Sequence, residues 1–365
     1  MNRGGIYFFV LVAFVLIAPD AVRAQNAPAG WAAILEKAKT ETLVLHDQGN
    51  AAFDATIDAF TKKFGVKVDV TVSRPSQALT RLQLEQKNGT FDADVWWAIT
   101  GLMATAAAPA GMFEPFEDYL VLPEVKDLGN WRDAEYLYGD STHFVFTYNH
   151  EVNPAVYRNT AVMPEVKVDS FDALMNPQLR GKIVVRDASY PNAASYALAP
   201  MLKAKGPDFL AKFLKEQNPR VFDNPEQLDK MLINGGAAIE IGGQAQAYSQ
   251  CRSDGGCKTI ESIPAMETTI SRGFGVLKRA PHPEAVKVWL NWILSKEGQE
   301  LLVKEWAKAN TSGAVSMRKD VAPAPGHEQY LPDFAHADRY VWVSTQRGDE
   351  EITQVTKIFK EWNAR

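Results

Sequence analysis

The chain of 365 residues is poor in cysteine and histidine, with two of the former and six of the latter. Four convergent ligands are needed for a structural zinc site, and no histidine stands near Cys251 and Cys257, so a cysteine-based metal centre is excluded. The histidines, at 46, 143, 150, 282, 327 and 336, show no pair one helical turn apart, which argues against a zincin-type site. No run of Lys/Arg and no basic stripe interleaved with aromatics occurs, so the electrostatic footprint of a nucleic-acid binder is missing. A Gly-x-Ser-x-Gly elbow is absent, and no Ser, His and Asp set assembles from local context. Gly242-Gly243 lacks the spacing of a dinucleotide or phosphate-loop fingerprint. No cofactor is expected.

What is present begins at the N-terminus. Arg3 supplies a positive region, Ile6 to Ala18 is uninterruptedly apolar, and Val22 and Ala24 place small side chains before a cut at Gln25. The apolar stretch is shorter than the ~20 residues a spanning helix needs. Residues 1–24 are therefore read as a signal peptide, and the mature chain as periplasmic. Its removal leaves 37 basic and 43 acidic residues, a mildly acidic protein. Such a length exceeds that at which one hydrophobic core stops growing, so two lobes are expected. In an oxidising compartment, Cys251 and Cys257 are expected to pair across their five-residue loop.

Hydrophobic periodicity predicts alternating strands and helices. A helix over Trp31–Thr40 precedes a strand at Leu43–Leu45, the polar turn 46–50 and a helix over Ala51–Phe64. A strand over Val66–Val72, a polar loop at 73–77, a helix over Ala78–Lys87 and a strand at Ala93–Ala98 repeat the pattern. Strands at Phe144–Tyr148 and Gly273–Leu277 enclose separate βα material, including strands at Ile183–Val185 and Ala237–Ile241 and a helix over Ala193–Lys205. Helices follow from Pro283 to Leu294, from Ser295 to Ala307, and from Glu350 to Trp362. The fold class is thus α/β, with mostly parallel sheets whose ligands bind beyond the carboxyl ends of the strands. The expected division is 25–147 plus 275–365 for lobe 1 and 148–274 for lobe 2.

Specific strings carry a family resemblance. "TRLQLEQKNGTFDADVWW" (80–97), "VFTYNHEV" (145–152), "SFDALMNPQLRGKIVVRDAS" (170–189) and "SRGFGVLKRAPHPEAVKVWLNWILSKEGQELL" (271–302) resemble the extracellular solute-binding proteins of ABC importers, family 1-like. Within them the chain is similar to the branch of ferric-ion, polyamine, thiamine and phosphonate or sugar-phosphate binders. The resemblance implies a type II-like two-lobe periplasmic-binding fold with two crossover strands as hinge, a monomer, a small-molecule ligand and an inner-membrane ABC permease as partner. Ferric binders of the branch present adjacent tyrosines after a strand such as Ala237–Ile241, since phenolates suit a hard trivalent ion. Here Tyr248 stands beside Ala247, and the pattern is incomplete.

The cleft loops supply the ligand candidates: His46, Asp47 and Asn50; Arg74 and Ser76; Trp97 and Thr100; Tyr148; Ser189, Tyr190 and Asn192; Gln244 and Tyr248. Backbone N–H groups and hydroxyls before helices at 73–76 and 189–192 suit an anion, with Arg74 adding a charged fork. Ser and Asn in such places are also ordinary helix caps. Trp96 and Trp97 must face opposite sides of their strand, so one is free in principle to stack on a ligand while the other packs in the core. An aromatic with Asp47 or Glu240 nearby would instead suit an amine. Binding of a small organic or phosphorylated anion is the leading expectation and ferric ion the alternative, with Tyr248 as its metal ligand. A secreted hydrolase and a ligand-sensing subunit are the readings from other classes.

Overall fold

The computed structural model describes residues 28–132, 143–244, 247–248, 251–252, 254–263, 267–308, 313–342 and 346–364. The expected signal peptide, its cut before Gln25 and four positions of the segment 242–251 lie outside them.

The first sheet is built from β1 (Thr42–Asp47), β2 (Lys67–Val72), β3 (Val95–Ile99), β4 (Val145–Pro154), β10 (Glu267–Val276) and β11 (Val341–Trp342). Strand β1 lies between β2 and β3, parallel to both, as short βαβ crossovers require. Two long strands complete it. Strand β10 runs antiparallel to β3 over Arg272–Val276 and to β4 over nearly its whole length. Beyond Ile99, the same edge of β10 is taken up by β11 at Thr268 and Thr269. The second sheet has the order β7-β6-β8-β5-β9, from β5 (Val156–Asn159), β6 (Ile183–Arg186), β7 (Arg220–Phe222), β8 (Ile239–Ile241) and β9 (Ile260–Ser262). A mixed α/β architecture of two sheets with flanking helices results.

Sheet membership changes between Pro154 and Val156 and between Ser262 and Glu267, whereas the sequence reading divides the lobes near 148 and 274. The strands keep their pairing past those points because β4 and β10 continue to satisfy each other's backbone groups.

Helices α1 (Trp31–Ala38), α2 (Ala51–Phe64), α3 (Pro75–Lys87), α7 (Pro283–Ile293) and α8 (Lys296–Lys308) flank the first sheet, and α4 (Ala193–Lys205), α5 (Pro207–Gln217) and α6 (Pro225–Ile233) the second. Helix α3 starts at Pro75 rather than Ala78, because proline at a first helical position loses no hydrogen bond. The loop expected at 73–77 is correspondingly shorter. Helix α9 (Gln346–Asn363) differs in a larger way from the expected assignment of 275–365 to lobe 1. Its Ile352, Val355 and Phe359 pack in the second core with Leu198, Leu202, Leu210 and Phe213. Strand β11 makes that transfer, with Tyr340 and Trp342 in the first core and Val341 in the second. Alternation along a strand sends neighbouring side chains to opposite faces and so lets one short strand serve both cores.

Candidate functional site

The carboxyl ends of β1 and β2 meet at one edge of the first sheet. Ser73 N donates to Asp47 O at 3.0 Å as β2 leaves the sheet, and Gly49, at φ 71°, lies close enough to Val72 that a Cβ would fall 2.7 Å from Val72 Cγ1. Glycine meets both demands of this turn. Asp47 Oδ1 accepts from Gly49 N at 2.7 Å, and Asn50 Oδ1 accepts from Ala52 N at 2.8 Å, capping α2. The loops 46–50 and 73–74 are therefore brought together. Asn50 is half-buried, while Arg74, the N-cap of α3, and Ser76, on its first turn, are exposed.

Among the described residues, three buried polar atoms at this edge have no protein partner: His46 Nδ1, Asp47 Oδ2 and Ser73 Oγ. Asp47 is 1% and His46 2% exposed. Burial raises the Asp47 carboxyl above the usual range against the Gly49 N–H, which favours its charge. Burial, then the Arg81 charge, lowers His46 and favours neutral imidazole.

Beyond Ile99, Thr100 and Ser271 join through their hydroxyls, both fully buried. Next to them Arg272 pairs with Glu151 at 2.8 Å and lies 4.5 Å from the Trp306 ring centroid. Burial opposes the Arg272 charge, but the Glu151 carboxylate outweighs it and holds the guanidinium firmly protonated. Its Nε has no protein partner, nor do the hydroxyls of Thr147 and Thr269.

In lobe 2 the corresponding edge lies at the ends of β6 and β8. Gly242, at φ 91°, approaches the start of α4 so closely that a Cβ would fall 2.7 Å from Ala194 Cβ and 2.9 Å from Ala194 N. This contact brings the segments 187–193 and 242–244 together. Asn192 caps α4 by accepting from Ala194 N at 2.8 Å, while its Nδ2 donates to Asp187 O at 2.6 Å and Tyr190 O at 3.1 Å. Ser189 is half-buried and Tyr190 45% exposed. Arg186, the last residue of β6, also carries a buried Nε with no protein partner.

Four predicted contacts have different surroundings from those expected. Trp97 is fully buried, stacked on Phe53 at 3.8 Å, with Nε1 donating to Tyr148 Oη at 3.0 Å. Trp96 is equally buried on the opposite face, so both tryptophans are core residues rather than one being free for a ligand. Tyr148 is buried in the first core, where burial pushes its phenol well above the ordinary value. Tyr248 is buried in lobe 2, 4.4 Å from the Tyr157 ring, and its hydroxyl donates to Glu240 with Asp229 at 3.4 Å. Exposed Gln244 is tied to that same Asp229 through Nε2 at 2.9 Å and N at 3.2 Å. Burial, with Asp229 adding, pushes Glu240 up to about 9, so it is a protonated acid at neutral pH. Burial, with the neighbouring Glu240 and Asp229 carboxyls, drives the Tyr248 phenol upward too, against the phenolate that a hard metal needs. Cys251 and Cys257 form a disulfide that closes the loop following Tyr248.

Arg186 and Arg272 were not among the sequence candidates. Arg186 ends the apolar run Ile183-Val184-Val185 of β6, and Arg272 stands inside β10 just before Phe274-Gly275-Val276. A charge that borders a buried apolar run is the signal that finds them.

Comparison with known proteins agrees with the two-lobe fold. The family described as bacterial extracellular solute-binding protein matches residues 55–331. An uncharacterized protein of Haemophilus influenzae is 25% identical over 262 residues, covering 70% of this chain and 74% of that protein. The iron uptake protein A1 of Synechocystis sp. is 24% identical over 281 residues, covering 72% and 73%. Iron-bound HitA from Pseudomonas aeruginosa has a similar fold at TM-score 0.65 and 18% identity, covering 88% of this chain and 99% of that one. AfuA from Actinobacillus pleuropneumoniae, with fructose-6-phosphate bound, gives 0.61 and 17%, covering 86% and 96%. The chain therefore belongs to the bacterial extracellular solute-binding proteins and is the solute-binding component of an ABC transporter.

Proposed function

We propose that this protein captures a small organic or phosphorylated anion between its two lobes and hands it, unchanged, to its permease. The observation that carries the reading is a pair of guanidinium groups, one in each lobe. Arg272 sits at the carboxyl edge of the first sheet and Arg186 at that of the second, each with an Nε lacking a protein partner. Guanidinium groups bind phosphate and carboxylate through two parallel N–H bonds, and affinity gained only when both lobes engage shifts an open protein towards its closed form. Exposed Arg74 and Ser76, with Ser189 and Tyr190, stand at the rims of the same two edges. The lobes rotate about the two crossings, after Pro154 and after Ser262, where the strands leave one sheet for the other.

The mature protein works in the periplasm as a monomer after cleavage before Gln25. Ferric ion is the second reading, favoured by the relatives that carry iron in their names. Against it, Tyr248 is committed to Glu240 inside lobe 2.

Thermal unfolding in the presence of sugar phosphates, phosphonates, polyamines, thiamine and ferric salts tests the reading. A rise in melting temperature with a phosphorylated or phosphonate anion is expected. Stabilisation by ferric ion alone overturns it, and so does chemical conversion of the bound compound.

A further inference from the structure

Asp47 gives the ligand a second requirement. Its carboxylate is 1% exposed, Oδ1 is taken by Gly49 N, and Oδ2 has no protein partner among the described residues. An unmatched buried acceptor is costly, and native structures keep few of them. This one lies at the carboxyl end of β1, the edge where ligands bind in parallel sheets, and shares it with the unpartnered Ser73 Oγ. The charge of Asp54 of α2 acts in the same direction as burial, raising the Asp47 carboxyl. An anion alone would be repelled. A ligand that presents a donor to Oδ2 removes both penalties.

We propose that the ligand carries, besides its anionic group, a hydroxyl or ammonium donor that Asp47 Oδ2 accepts, so that Asp47 selects hydroxylated or amino-bearing anions over their plain alkyl counterparts. The inference rests on the anion reading above. It assigns opposite polarities to two parts of one site: Asp47 faces the donor end and the guanidinium groups the anionic end. The neutral His46 imidazole, one residue earlier, adds no competing positive charge.

Matched ligand pairs test it by calorimetry on the intact protein: glycerol 3-phosphate against propyl phosphate, and 2-aminoethylphosphonate against ethylphosphonate. The wild type is expected to prefer the donor-bearing member of one pair by about tenfold or more, because a site built to hydrogen-bond a group rejects the analogue lacking it. Asp47→Asn keeps an oxygen for Gly49 N but can present an NH2 in place of Oδ2, and should reduce that preference to about twofold or less. If this variant does not fold, the wild-type pH dependence carries the test: the preference should fade as acid protonates Asp47. An anion that binds with the same preference in wild type and Asp47→Asn, or a preference unmoved by pH where only wild type folds, overturns this inference and leaves the anion reading standing. Absence of binding by every member of both pairs overturns both.

Discussion

The two lobes present their strand ends in contrasting ways. In lobe 1, and along the β4/β10 ribbon, side chains reach the edge with polar atoms unmatched: His46, Asp47, Ser73, Thr147, Thr269 and Arg272. In lobe 2 fewer are unmatched near the edge, Arg186 Nε and Glu240 Oε1, and other polar side chains already have protein partners. Asn192 caps α4 and ties down the 187–190 turn, Gln244 holds Asp229, and Tyr248 holds Glu240. On the proposed function, one lobe would read the ligand through side chains, while the other would offer Arg186 on a backbone surface fixed by internal hydrogen bonds. Fixing that surface in advance lowers the ordering cost when the lobes close.

Removing Trp97 should have the largest effect and break the comparison on the lobe 1 side. Trp97→Ala deletes the ring that packs between Phe53, Phe274 and Trp289, and should cost about 3–5 kcal/mol in denaturant unfolding. Affinity in the folded fraction should change far less, because the indole is fully buried in the first core. A selective loss of affinity with stability retained would return Trp97 to the binding site.

Glu240 sharpens the lobe 2 side. Its folded-state acidity lies near 9 against an ordinary value of 4.5, so the protonated form is the one the fold favours. Its contribution to stability is complete below the ordinary value and is lost as pH rises towards about 9, with a slope of at most about 1.4 kcal/mol per pH unit. Glu240→Gln should flatten the fall in stability between pH 5 and 9, as followed by chemical denaturation. An unchanged slope would mean that the Tyr248–Glu240–Asp229 cluster is already charged.

The smallest effect expected is that of Asn192→Ala. Loss of one cap should cost about 1 kcal/mol of stability. Because Asn192 also holds Asp187 O and Tyr190 O, ligand affinity should drop with it, measured by calorimetry. Lost stability with full affinity would mean that the 187–190 turn needs no fixing.

The strand-and-helix alternation was legible because the apolar periods are clean, as in Phe53, Ile57 and Phe60 along α2, and because Pro283 and the turn residues at 46–50 mark boundaries. The Cys251–Cys257 pairing was legible from the short spacing. Which core an amphipathic helix joins is not written in its period, and α9 went to the second lobe because β11 hands the chain across. Trp96 and Trp97 show the same limit: alternation fixes that they face opposite sides, but not that α2 and α7 cover one and α3 the other. Tyr248 looked available because its partners, Glu240 and Asp229, are distant enough in sequence to be unreadable as one cluster. Arg186 and Arg272 were passed over as single charges in apolar strands, where the physical cost of burying them was the clue.

The central claim is that a guanidinium from each lobe receives a small anion. Native mass spectrometry of freshly purified protein tests it most directly. The account predicts an added mass corresponding to an organic or phosphorylated anion, lost from an Arg186→Ala variant that remains folded. An added mass of ferric ion alone, retained in that variant, would contradict it.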